Sequence, residues 1–434
     1  MTTQHNGIDL TTGFQLRSPH RPTRTVRPDR AEDLASAVAA ACRDGRRIAV
    51  QATGHGRTAG ADDVVLISTG ALSDVRIDPA ARSARIEAGA TWGSVIAAAA
   101  DHGLAPLSGS FPGVGAVGYT LGGGSGLLSP SYGYAADRVR AVELITVDGK
   151  PRRVTADSDP ELFWGLRGAG GNLGVVAALE VELFAVRSVL GGAVAYDLGR
   201  DPGLLTAWRD WADRLPEQVL AAATVLSYPE LARFPAQLRG RHIARLQLCW
   251  PEPDRDLAAD HLAELRGLGT PLQDTIGELR YAQSGSIFAE PDRPHAYRGT
   301  GWLLGGLPEV ALETLASTAG PRAGAMCITG LRRISGAMRR PPAVPDAIGL
   351  RQARWSFNVL SPHDPESDDG ITAVHRGVLE PWQQSIIGRS LNFTFDPLRP
   401  DEVAGAYDPA AVPRLRALRE EVDPERMIIA QHAL

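Results

Sequence analysis

The chain has 434 residues, more than one domain at about 150 residues each, and its 44% hydrophobic and 22% charged residues are those of an ordinary globular protein. Lys+Arg 45 against Asp+Glu 50 gives a formal net charge of −5, which leaves no electrostatic footprint for nucleic acid. Lys150 is the sole lysine and Pro151 follows it, so a phosphate-binding Gly-Lys-Ser/Thr loop is excluded and a Schiff-base lysine is not supported.

Residues 1 to 20 read as a loose arm, polar from Met1 to Leu10 and without the apolar core of a signal peptide. Leu34, Val38 and Ala41 share a face of a helix that Gly45 stops. Arg47 to Gln51 is a short strand running into Thr53-Gly54-His55-Gly56, and Val64 to Ser68 is a buried one. Ala84 to Gly89 alternates, and Thr91 opens a helix through Ala100. From Gly109 to Gly126 the chain is too rich in glycine for a stable helix, since each interior glycine costs roughly 1 kcal/mol against alanine. That stretch is expected to be a loop ribbon pressed against a ligand. Asp137 to Asp148 is a strand, Arg167 to Gly174 a further glycine cluster, and Val175 to Phe184 another strand.

After about residue 188 the texture changes. Strands at His242 to Trp250, Met326 to Ile334 and Trp355 to Leu360 alternate with helices at Gly203 to Arg214, Leu257 to Gly267 and Pro308 to Ala319. The tail from Val412 to Ile429 reads as helical. Cys42, Cys249 and Cys327 are sparse and odd in number, which suits a reducing compartment. No apolar run reaches the about 18 residues a membrane span needs. The expectation is a cytoplasmic protein with no nucleic acid and no membrane as partner.

Gly113-Val-Gly115-Ala-Val-Gly118 fits the dinucleotide-binding spacing, and Asp137 follows where the ribose acid would sit. It is rejected because the next residues, Tyr119-Thr-Leu-Gly-Gly-Gly-Ser-Gly126, do not read as the helix that the site requires. Glycine loops still hold anions through backbone N–H groups and admit a flat ligand closely. Clusters at 54–60, 109–126 and 168–174 together favour a large anionic, planar cofactor over mere turns. His55 has no ligand-spaced neighbour, which argues against a metal. Ser125 lacks the second glycine of a hydrolase elbow.

These stretches resemble the vanillyl-alcohol-oxidase/p-cresol-methylhydroxylase flavoproteins, in their berberine-bridge-enzyme-like branch. The resemblance is carried by Ala52-Thr-Gly-His55, by Pro112 to Gly126 with Tyr132-Gly133 and Asp137, by Asp159 to Val176, and by Leu391-Asn392-Phe393 with the tail helix. It implies an α+β fold, with a two-part PCMH-type FAD-binding domain and an antiparallel-sheet substrate domain covered by helices. Residues 1–188 would form the first part, 189–389 the substrate domain, and 390–434 a segment returning to the FAD-binding domain. It also implies FAD, held by Ala52, Thr53, Gly54, His55, Gly56, Val114, Gly115, Val117, Gly118 and Tyr119. Gly174 and Val175 would lie at the adenine end, Asn392 at the isoalloxazine, and His55 would carry one covalent bond.

The departures from the family matter too. Phe111 stands where relatives often have a second tether, a cysteine. Gln51 replaces an arginine, Ser390 and Phe393 replace tyrosines, Ser125 another, and Phe357 or Asn358 falls at the plant enzymes' glutamate base. The usual groups for deprotonating an alcohol are therefore missing. Tyr119 and Asn358 are the remaining candidates for catalysis. Alternation puts Arg351, Trp355 and Phe357 on one face of their strand and Arg354, Ser356 and Asn358 on the other, and the aromatic face either lines the pocket or fills a core. Val114 stands where the branch has an oxygen gate. The implied function is an FAD-dependent oxidase of specialised metabolism acting on an amine, a phenol or an activated alcohol. Hydride would pass to flavin N5 and O2 would reoxidise the cofactor. A cyclisation without net oxidation and a non-catalytic binding flavoprotein stay open as alternatives.

Overall fold

The computed structural model describes residues 4–5, 8–232, 235–318 and 325–434. Ala319, the last residue of one expected helix, lies outside them, as do several residues of the expected arm.

Two small sheets build the first domain. One has four strands, with Ile48–Gln51 flanked in parallel by Val65–Ser68 and by the two-residue Ile428–Ile429, and Arg24–Val26 beyond. All of Val65–Ser68 is buried, as a strand inside a parallel sheet requires. The helix Ala31–Arg43 lays Leu34, Val38 and Ala41 against it. The other sheet has five antiparallel strands, with Val175–Glu182 between Ser83–Glu87 and Val139–Ile145.

The second domain is one nine-stranded antiparallel sheet, drawn from Ser188–Asp197 through Ile386–Arg389. The helices Leu204–Arg214, Glu309–Thr318 and Asp368–Leu379 belong to it. Its back face is a core around Trp208, Trp211, Trp355, Phe357 and Trp382. Its front face, where Leu220, Ala222 and Cys249 join the first domain's core, meets that domain.

Four expectations need correction. The arm is strapped down. Phe14 and Gln15 are buried, Gln15 exchanges hydrogen bonds with the Tyr297 backbone at 3.0 and 3.1 Å, and the Arg57 guanidinium donates to the Thr12, Gln15 and Ser18 carbonyls. The glycine ribbon contains a helix, Ala116–Leu121, because Ala116, Val117, Thr120 and Leu121 are buried and packing outweighs propensity. The missing-helix ground for rejecting a Rossmann site therefore fails, but the rejection holds, since the helix follows a loop and not a parallel strand. The tail helix is Ala411–Val422 only. Asp423 ends it by accepting the Met427 and Ile428 N–H groups at 2.8 and 2.9 Å, which turns the chain into its last strand. Finally, Arg351 precedes the strand Trp355–Pro362, and Trp355 and Phe357 fill the core, so the aromatic face does not line a pocket.

Candidate active site

Three segments of the first domain and one of the tail converge at the domain junction. The loop after Ile48–Gln51 turns at Gly54, whose φ of +75° and whose approach to Thr12 and Gly13 exclude a side chain. The Gly115 N–H donates to Thr53 Oγ1 at 3.3 Å, which ties this loop to the glycine ribbon. Among the described residues no acceptor takes the N–H groups of Gly54, His55, Gly56 or Arg57. A Cβ placed on Gly56 or Gly118 meets nothing within 4 Å, and both residues are exposed. Asn392 closes the group from the tail, its Nδ2 donating to the Tyr119 carbonyl at 3.1 Å.

His55 is the centre of this junction. Its ring stacks on Phe14 at 3.9 Å and meets Phe111 at 5.4 Å. Its Nδ1 is 2.9 Å from Thr53 Oγ1, and its carbonyl accepts from the Tyr297 hydroxyl at 2.6 Å. Nε2 is buried and has no partner among the described residues. Burial, then the neighbouring His295, lowers its pKa to about 3, so the imidazole is neutral. Where Nδ1 carries the hydrogen and donates to Thr53, Nε2 holds a free lone pair.

Tyr119 lies against the glycine ribbon with its ring edge-on to Trp92 at 5.5 Å. Its hydroxyl is buried with no partner among the described residues, and burial raises the phenol far above its ordinary value, so it stays protonated. Asn358 lies opposite Gly330 and Gly301 on the sheet's front face, so its side chain points toward the first domain. Gly174 and Val175 stand elsewhere. Gly174 passes so close to Leu144 that a Cβ would lie 2.5 Å from it, and the Val175 side chain packs beneath the helix Ala31–Arg43. Ala52, Val114 and Val117 belong to the converging loops: a Cβ on Gly115 would touch Ala52, the Val114 carbonyl accepts from Trp92, and Val117 joins the core.

Several residues of the junction carry no local sequence signal. Arg332 projects from the front face, donates to Ser110 Oγ at 3.0 Å and lies between the rings of Phe288 and Phe393, at 4.4 and 4.8 Å. Ser110 donates to Glu290 at 2.5 Å. Only the fold brings Phe14, Ser110, Glu290, Tyr297 and Arg332 together, from stretches far apart in the chain.

Residues 22–155 match the family description "FAD binding domain". This part of the chain is therefore similar to an FAD-binding domain. The orphaned ring nitrogen of His55 and the open glycine backbone around it fit such a cofactor. Over 283 residues, 63% of this chain, the sequence is 33% identical to (R)-6-hydroxynicotine oxidase of Paenarthrobacter nicotinovorans, and it spans 59% of that relative. It is 30% identical over 177 residues to xylooligosaccharide oxidase of Thermothelomyces thermophilus, covering 40% of this chain and 36% of the relative. The chain thus matches less than two thirds of the length of these curated relatives. Across nearly their whole length the folds agree. The structure of 6-hydroxy-D-nicotine oxidase from Arthrobacter nicotinovorans superposes with a TM-score of 0.82 at 24% identity, over 98% of this chain and 95% of that one. A xylooligosaccharide oxidase from Myceliophthora thermophila gives 0.84 at 19%, over 99% and 96%. The fold is therefore the PCMH-type FAD-binding fold, with helices and antiparallel sheets as the sequence implied.

Proposed function

We propose that the protein is an FAD-linked oxidase of a small molecule, an amine, a phenol or an activated alcohol, with its cofactor tethered once, through His55. The observation that carries this reading is the neutral His55 ring, stacked on Phe14 and presenting an unpartnered nitrogen beside the glycine loops. Relatives named as oxidases of a hydroxynicotine and of an oligosaccharide support oxidation as the reaction class.

When bound, FAD would supply a two-electron acceptor, which O2 with two protons would restore, releasing hydrogen peroxide. The chain's own residues do the rest. Thr53 and Tyr297 hold His55 by its Nδ1 and its carbonyl, so the ring cannot turn. Phe111 fills the place of a second tether, and the buried Cys249 and Cys327 sit in the two packed cores. Tyr119 and Asn358 are the polar groups offered to the reacting molecule from the two domains. The phenol of Tyr119 is held protonated beneath the glycine ribbon, and would donate to developing negative charge only where the bound group reaches it. Glu290, held by Ser110, is a carboxylate at the junction that can receive a proton.

The test is colour. After acid denaturation the yellow of the flavin should stay with the polypeptide, and His55→Ala should release it. Oxygen uptake with a panel of amines, phenols and alcohols then gives the substrate class. A colourless purified protein sinks the reading.

A further inference from the structure

The front face of the nine-stranded sheet carries an excess of positive charge at the point where it meets the cofactor loops. Strand register puts Arg245, Thr224, Gly330 and Asn358 in one row across this face, and Gln247, Ala222, Arg332 and Ser356 in the next. Neither row contains an acid. The neighbours of the arginines are small, and the Asn358 side chain lies over Gly330.

Arg332 stands out among them. It is 9% exposed, and burial lowers its pKa from the ordinary guanidinium value. Its charge is weakly offset: Glu290 is 4.0 Å away, belongs to a loop outside the sheet, and keeps 40% of its side chain exposed. Glu290 spends its short bond on Ser110. Two phenyl rings lie against the guanidinium, and its remaining N–H donors are those not given to Ser110. Phe393 comes from the tail segment that also brings Asn392 to Tyr119, and Ser110 directly precedes Phe111 beside His55. Arg332 therefore stands within the junction and not behind it. Arg245 adds a second positive group on the same face, its Nη1 donating to the Phe288 carbonyl.

We propose that the molecule oxidised here is an anion, and that its carboxylate docks on the edge of the Arg332 guanidinium between Phe288 and Phe393. A planar guanidinium selects a planar, bidentate acceptor. A cationic amine without an acidic group is disfavoured by the same charge. The oxidation of the docked anion rests on the oxidase reading, whereas the docking itself does not.

The test uses the purified flavin-loaded protein and calorimetric titration with benzoate and with benzamide, its neutral isostere. Benzoate should bind more tightly by about tenfold or more. Arg332→Met should make the two affinities equal, and Arg332→Lys, which keeps the charge but loses the fork, should keep part of the difference. Glu290→Gln should strengthen benzoate binding several-fold and leave benzamide unmoved. Should Arg332→Met not fold, the wild-type ratio and the Glu290→Gln shift decide the matter. Equal affinities in the wild type, or a preference that survives Arg332→Met, overturn the anchor. Carboxylate preference without oxygen uptake by any substrate sinks the oxidase reading alone. Oxygen uptake with neutral amines and no benzoate preference sinks the anchor alone.

Discussion

At the scale of single residues, Thr53 does two jobs with one oxygen. It accepts the Gly115 N–H and fixes His55 Nδ1. Thr53→Val keeps the shape and removes both bonds, leaving an unpaired N–H beside a freed ring. It should cost about 1–3 kcal/mol and lower the yield of acid-stable flavin, read by thermal unfolding and by colour after precipitation. An unchanged yield would show that the ring needs no orientation. Gly126→Ala is the steric counterpart, since its Cβ would lie 1.9 Å from the Ser108 carbonyl oxygen and the ribbon would have to move. Loss of flavin retention is expected, and full retention would show that the ribbon yields. The same geometry decides which residues the sequence could reveal. Thr53, His55, Gly115 and Tyr119 lie in short glycine-marked stretches, where local chemistry leaves a local pattern. Arg332, Glu290 and Tyr297 belong to a strand, a loop and another strand of ordinary composition, and only the tertiary fold brings them to His55.

At the scale of elements, the tail shows how much one side chain can redirect. Asp423 is fully buried, and its two oxygens take the N–H groups that begin the final strand. Asp423→Ala leaves both unpaired in the interior, at about 2–4 kcal/mol, with a melting temperature lower by roughly 5–10 °C. A change below about one degree would mean that water replaces the carboxylate without loss. Apolar periodicity past Val422 reads as more helix, because Met427, Ile428 and Ile429 are apolar in either state and two-residue strands carry no period. The helix Ala116–Leu121 is hidden for the opposite reason. Its glycines argue against it locally, and its buried face, which decides the outcome, touches residues far away in sequence. The strands His242–Pro251 and Trp355–Pro362 are legible because each combines β-branched and aromatic residues over a length that a single period can show.

At the scale of the whole molecule, stability should depend on pH through buried histidines. His20, His375 and His432 are each held neutral, lowered to about 4, with burial the largest cause. Their folded values lie below the unfolded 6.5, so the stability they lend is complete above 6.5 and is lost as pH falls toward 4. Asp346 runs the other way. Burial and Asp137 raise its carboxyl, so its contribution is lost as pH rises from 3.8, but it stands against these three and against His55 and His242, which burial lowers as well. Denaturant unfolding at pH 7.5 and 5.5 should differ by on the order of 3 kcal/mol, the lower pH being weaker. Equal stabilities would mean that these rings open to water before the chain unfolds. The last strand also bears on how the protein is made. Ile428–Ile429 pairs with Ile48–Ala49, and the nine-stranded sheet is synthesised between them. On the ribosome the parallel sheet therefore waits with one edge bare for the whole time that the second domain emerges. Such an edge invites pairing with other chains. Assembly of the junction thus comes only after the second domain has been made, and slow growth at low temperature should raise the yield of soluble yellow protein more than an excess of riboflavin does.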